Sequence, residues 1–303
     1  MRRINIGAAI AILIVGLNAQ AFAAPKSPIQ ISQCENITRP GNYVLANDLE
    51  LDASDGNCLV ISASNVQINL GGLTISSPCD PYSFCPSGGI GIAIASGANQ
   101  VSISNGSVEG FVYGIVAEGN RVTGTNLNLT AVVGITLNGS SLSIFTNITY
   151  EGADTEYHGT NGPILYLEGG GQNMFRNVSG EVGCDLGGPD GIEVVNSNGN
   201  LISGVTLENT SCGGTDILLS DNSSSNMIMN TDLFDDCGGG IGIEAGSGHN
   251  MIIGNNVTVA SPADVYAMFD ENPNCQKDIW MGNTFNNIFD TGEVSASPAS
   301  CIH

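Results

Sequence analysis

Gly191-Ile192-Glu193-Val194, a polar turn, Asn200, Leu201-Ile202, a glycine turn and Val205-Thr206-Leu207 follow one another without interruption. The stretch reads as three short apolar strands separated by turns too tight for helices. The same unit recurs along the chain. Its first strand returns as Gly91-Ile92-Ala93-Ile94, Gly114-Ile115-Val116, Gly134-Ile135-Thr136-Leu137 and Gly242-Ile243-Glu244. Its Asn returns at Asn65, Asn99, Asn120, Asn173, Asn226 and Asn250, with spacings of 21 (99 to 120), 27 (173 to 200), 26 (200 to 226) and 24 (226 to 250) where the count is clean. Ser141 stands in for Asn between Asn120 and Asn173.

Units of this length cannot bury an apolar face alone, and do so by stacking coil on coil. The expected fold is therefore all-β, a single-stranded parallel β-helix of about nine coils of three short strands, with terminal caps. At ~4.8 Å per coil the rod is on the order of 45 Å long. The recurrent Asn is expected to form an amide ladder from coil to coil. Met174, Met227 and Met251 share one column and are expected in the core rather than in a copper-binding stripe, because histidine is scarce.

Outward from this repeat the chain changes texture. Arg2-Arg3, an apolar run from Ile4 to Leu17 and Ala21-Phe22-Ala23 form a secretory signal pattern. Residues 1–23 are thus expected to be removed, 24–58 to form the N-terminal cap and first coil, 59–287 the β-helix and 288–303 a C-terminal cap tail. No later run is long enough to span a bilayer, so no membrane insertion follows signal cleavage, and a secreted or periplasmic location is expected. Nine cysteines fit that oxidising route. Disulfide candidates are Cys34 with Cys58, Cys79 with Cys85 and Cys275 with Cys301, while Cys184, Cys212 and Cys237 leave at least one thiol over.

The chain carries 29 acidic and 7 basic residues, a net charge of −22. Such a surface repels nucleic acid and anionic membranes, which are bound by Lys and Arg. It also resists polyanions such as pectate unless a metal cation bridges the charges.

The unit Gly-Ile-x-Val, turn, Asn-x-Ile, turn, strand resembles the right-handed parallel β-helix repeat of the pectin-lyase-like superfamily. The opening, with Cys34, Pro40-Gly41-Asn42-Tyr43 and Ser64-Asn65-Val66-Gln67-Ile68, is similar to bacterial members of that group. The resemblance covers roughly Ile31 to Asn287 and implies the fold and the handedness. Activity motifs depart from it. The few cations speak against a pectate lyase, and the Asp-Pro-His-Asp motif of alginate epimerases is absent, Tyr157-His158 being its one partial counterpart. Asn230-Thr231-Asp232, Asp235-Asp236 and Gly248-His249 follow the polygalacturonase order, but Asp232 and Asp235 fall in one coil.

One acidic surface nevertheless emerges when coils are aligned by their Asn. Asp190 and Asp216 each lie ten residues before it, Glu208 and Asp232 eighteen, Asp185 and Asp235 fifteen. Equal phase on adjacent coils predicts Asp190 and Asp216 side by side, with carboxyls ~5 Å apart. Such a pair fits a glycosidase acid and nucleophile. It also fits an oxygen-ligand calcium site using Asp185, Asp190 and Asp216, or a plain solvated acidic face. Calcium is the one cofactor these residues suggest. Glu193, Asp232, Asp235, Asp236 and Glu244, with Tyr157 and His158 from an insertion, are candidate substrate-binding residues. The expected function is a secreted protein that binds or processes a polysaccharide or cell-surface glycan along its lateral face, as a glycoside hydrolase or lyase if it is an enzyme. The alternative is a non-enzymatic envelope scaffold or adhesin.

Overall fold

The computed structural model describes residues 27–52, 56–78, 89–152, 162–182, 190–209, 214–235, 238–260, 266–287, 296–297 and 301–302. The signal segment, Tyr157, His158, Asp185, Asp236, and the cysteines at 79, 85, 184, 212 and 237 lie outside the described residues.

The chain is a right-handed parallel β-helix. A first face runs from Glu35–Ile37 through Leu59–Ile61, Ile90–Ile94, the ends of Val101–Ala117 and Thr123–Asn138, Leu165–Glu168, Ile192–Val195, Thr215–Ser220, Gly239–Ile243 and Met268–Asp270 to Ala296–Ser297, every pairing parallel. Those are eleven rungs, nine of them between rungs supplied by the terminal segments. A second face carries Val66–Asn69 and, later, Leu201 to Ser203, Met227–Met229, Met251–Ile253 and Ile279–Met281. A third carries Asp232–Asp235, Asn256–Val259 and Thr284–Asn287. Among the described residues no helix is long and apolar enough to cross a membrane.

Strand alternation explains the core. On the first face Ile94, Ala117, Leu137, Leu167, Val194, Leu219 and Ile243 point inward and are buried. On the second face Phe145 and Phe175 stack with ring centroids 5.6 Å apart and 7° between planes. Gly124 precedes Phe145 in that column, and a Cβ there would run into the Phe145 ring. On the third face the hydroxyl of Tyr150 donates to the carbonyls of Ala131 and Val132 at 2.8 and 2.9 Å. Burial pushes this phenol far above its ordinary range.

The methionine column is a correction. Met174, Met227 and Met251 pair in one column through Leu201, but all three are partly exposed, and the buried neighbours are Phe175, Ile228 and Ile252. Triplets such as Met227-Ile228-Met229 are apolar on both phases, so hydropathy alone cannot say which phase faces the core.

The asparagine ladder forms, but as two offset columns. Asn120 donates its backbone N–H to Asn99 Oδ1 at 2.9 Å, and Ser141 does the same to Asn120 at 2.8 Å. Two residues further along the coil, buried Asn173, Asn200, Asn226 and Asn250 form the second column. The backbone N–H of Asn173 donates to Asn200 Oδ1 at 3.0 Å, and those of Asn200 and Asn226 donate to the next Asn Oδ1 at 2.9 Å. A third ladder was not expected. Asn105, Asn126, Asn147 and Asn177 hold φ of 59°, 54°, 56° and 52° at the corner between second and third faces. Their amides link in series, starting from Asn69, at 2.9 to 3.1 Å. Asn tolerates this left-handed conformation better than other residues with a side chain.

Two of the expected disulfides are formed. Cys34–Cys58 joins adjacent rungs at the N-terminal end, and Cys275–Cys301 ties the short 3-10 helix Pro273–Lys277 to the C-terminal tail.

Candidate functional site

The predicted Asp190–Asp216 pair does not form. Ile192 pairs with Ile217 and Val195 with Ser220, so Asp190 stands opposite Thr215 and Asp216 opposite Gly191. The cause is turn length. Four residues, 196–199, separate Val195 from Asn200, whereas five, 221–225, separate Ser220 from Asn226. Asp221 and Asn222 absorb the extra residue with φ of 50° and 66°. Counting back from the Asn therefore slips one residue, and a one-residue slip in a strand sends the side chain to the other face.

Asp216 has no exposed surface. It belongs to an inward column in which its neighbours are Gly191 and Gly240. A Cβ at those glycines would run into the core side chains of Leu207 and Val257, so the interior is tightly filled on both sides of Asp216. It cannot share a calcium ion with outward Asp190. Among the described residues no group of three or more His, Cys, Asp or Glu is arranged to hold a metal. The other phase assignments also move. Glu208 stands opposite Phe234, and Thr206 opposite Asp232, so Glu208 and Asp232 are two residues out of phase. Asp235 pairs through its backbone with Asn209 and Val259.

The outward side of the first face does gather carboxylates. Asp190 accepts the Thr215 backbone N–H at 2.6 Å. Burial raises its pKa, and the hydrogen bonds from Thr215 oppose that rise. Glu193 is three residues on, opposite Tyr166 on one side and Leu218 on the other. Burial first, then the charges of Asp190, Glu244, Asp221 and Glu168, push the Glu193 carboxyl up to about 7. Glu244 is likewise raised, by burial and then by Glu271, Asp221 and Asp190. The Tyr166 phenol is raised by burial and by Glu168, Glu193, Asp221 and Tyr113. These mutual effects place the eight side chains on one electrostatic surface, with Glu193 at its centre.

Aromatic rings border the same surface. Tyr113 and Tyr266 are 39% and 44% exposed, in the column that also holds Asp190. The Phe269 ring lies across Gly242, where a Cβ would collide with it. At the turn that follows the first face, Asn138, Glu168, Val195, Asn196, Asp221 and Asn222 line an open cleft of about 510 Å³. Rings beside carboxyls suit a polyhydroxylated ligand, because rings take the apolar face of a sugar and carboxyls take its hydroxyls.

Of the expected site residues, Asp190, Glu193 and Glu244 come together. Asp232 lies on the third face in a separate groove of about 560 Å³ with Glu151, Glu181, Glu208 and Phe234, where its Oδ1 accepts Asn256 Nδ2 at 2.7 Å. Tyr166, Glu168, Asp221 and Glu271 were not anticipated. Tyr166 was findable, since it precedes Asn173 by seven residues as Glu193 precedes Asn200. The insertion before Ile164 hides that rung.

No protein-family model and no curated protein matches the sequence. Solved structures match the fold. The Dettilon tailspike protein aligns with a TM-score of 0.61 at 13% identity, covering 88% of this chain and 60% of its own. The enzymatically active domain of bacteriophage CBA120 tailspike protein 2 aligns at 0.58 and 18% identity, covering 88% and 42%. The catalytic domain of a GH87 alpha-1,3-glucanase in complex with tetrasaccharides aligns at 0.52 and 16% identity, covering 91% and 64%. This chain spans less than two thirds of the length of each.

Proposed function

We propose that this protein is exported and binds and hydrolyses a neutral polysaccharide on the first face, with Glu193 as proton donor. The carrying observation is a half-buried carboxyl held near neutrality among other carboxylates on an outward surface. A general acid needs a proton available at working pH and a site next to its substrate. Asp190, three residues away and anchored by Thr215, is the partner carboxylate that supports the developing positive charge or activates the attacking nucleophile. Pairs of carboxyls with different environments divide acid and base roles in this way. Tyr166, Tyr113 and Phe269 supply flat surfaces for sugar rings along the rod. The tailspike and glucanase neighbours support a glycan ligand, and the two disulfides with the signal pattern support export. The surplus of negative charge favours a neutral glycan over a polyuronate.

The test is glycan-array binding together with a reducing-sugar assay, on wild type, Glu193→Gln and Asp190→Asn. Hydrolysis of a bound neutral glycan should fall about 10²- to 10⁴-fold in Glu193→Gln, with binding held within a few fold. Wild-type activity should decline as pH rises through about 7, where Glu193 loses its proton. Hydrolysis that survives both substitutions removes this site. Binding without any cleavage would leave the scaffold reading.

A further inference from the structure

The outer surface of the second face differs from the rest of the molecule. Ile144, Met174, Leu201, Met227, Met251 and Ile279 pair in sequence as one outward column over six successive coils. Beside it, Met229, Ile253 and Met281 form a second outward column over the last three. Ile144, Ile279 and Met281 are 42%, 47% and 54% exposed. With the partly exposed members, the stripe offers roughly 500 Å² of apolar surface, the size of the largest patch on an ordinary monomer, which is often functional.

Charge follows the same boundary. The chain has 29 acidic residues, yet among the described residues neither column contains a carboxylate from Val66 to Met281. Arg176 stands in the second column opposite Thr146 and Ser203. Arg121 and Lys277 occupy the turn that leads into this face, at φ of 56° and 72°. Arg176 thus lies within the stripe and two further cations border it, on a turn whose first-face end carries Asp221, Glu244 and Glu271.

We infer that this stripe is the contact between two copies of the chain. Two molecules of net charge −22 repel on their acidic faces and can approach without that cost only where carboxylates are missing. The stripe repeats every ~4.8 Å, so a second stripe mates with it about a two-fold axis, each column covering the other's, as an isologous contact requires. Two such stripes bury about 1,000 Å² between them, the lower bound of a specific interface. The first face stays open to a ligand in the pair.

Sedimentation equilibrium on the full mature chain at micromolar concentration tests this, for wild type and for Met227→Glu with Met251→Glu. Both side chains are outward, so the variant should keep the wild-type circular dichroism spectrum. Wild type should sediment at twice the chain mass and the variant at the single mass. The wild-type dimer should tighten several-fold from about 0.05 to about 0.5 M salt, as repulsion is screened. A monomeric wild type, a dimer that survives the double substitution, a dimer that weakens with salt, or a monomer whose stripe binds anionic vesicles instead would each overturn the inference.

Discussion

Asp278 stands where Asn belongs. The buried Asn column descends from Asn173 through Asn250, and the next rung offers a carboxyl, whose Oδ1 accepts the Asn250 backbone N–H at 2.6 Å. Above it, the second polar atom of each Asn is an N–H₂ that donates, as Asn226 does to the Ser197 carbonyl at 3.0 Å. Asp278 has an oxygen there, buried and with no donor to accept from, its polar neighbour being the Asp270 carboxyl. Beside it is Asp270, an inward residue that accepts from the Trp280 indole N–H at 3.2 Å and from the Asn272 backbone at 2.9 Å. Burial, then the Asp270 charge, push the Asp278 carboxyl up to about 7. A protonated Asp278 supplies the donor the column calls for. The folded state therefore holds a proton that the unfolded chain releases above about pH 4. This contribution to stability is fully present below that pH and is lost as pH rises to about 7. Asp278→Asn restores the donor at every pH. It should raise the melting temperature at pH 8 by about 2–4 °C and flatten its decline between pH 4 and 7, read by calorimetry. A variant that melts lower at pH 8 would refute the missing-donor account.

At the scale of elements, glycine and turn length decide what the strands can do. The column containing Gly91, Gly114, Gly134, Gly191 and Gly240 faces inward immediately before an inward isoleucine. Two successive inward residues fit only where the opposite wall makes room: Ile164 shares this column because Gly180 faces it, whereas Gly191 and Gly240 face Leu207 and Val257. Gly240→Val would place its Cβ 2.5 Å from the Ala267 carbonyl and should cost about 1–3 kcal/mol by overpacking. Gly282→Asn, at φ +65° with nothing within 4 Å, should melt within a degree or two of wild type, since Asn fills the same corner at Asn105 and Asn230. Equal losses for the two substitutions would contradict this contrast. The strands beginning at Gly91, Gly114, Gly134 and Gly191 were legible in the sequence because an inward glycine followed by alternating apolar residues places them. Gly242-Ile243-Glu244 was set two residues out, since Gly240-Ile241 is the true counterpart of Gly191-Ile192 and Gly-Ile-Gly-Ile admits two registers. Met227-Ile228-Met229 was not, being apolar on both phases. The phase of Asp216 was misread because the five-residue turn at 221–225 hides its extra residue behind the same Ser and Asn texture as its four-residue counterpart. Glu193 was legible because it sits at an outward position of a first-face strand, and Glu244 because it directly follows the end of another.

The whole molecule divides its chemistry among faces. The first face presents carboxyls and rings, the second an apolar stripe edged by cations, and the third a hydroxyl and carboxylate groove. Such a division is natural in a solenoid, where each face is a separate column of positions and substitution in one leaves the others undisturbed. The disulfides close the two ends, where the stack lacks a neighbour. The proposed hydrolysis depends most on the proton held by Glu193. Carbon-13 NMR titration of the glutamate side-chain carboxyls, with Glu193 assigned by the loss of its signal in Glu193→Gln, measures it without a substrate. The predicted midpoint is about 7, moving down when Asp190→Asn removes a neighbouring charge. A Glu193 midpoint in the ordinary carboxylate range, unmoved by Asp190→Asn, would leave the first face without its proton donor and contradict the proposed chemistry.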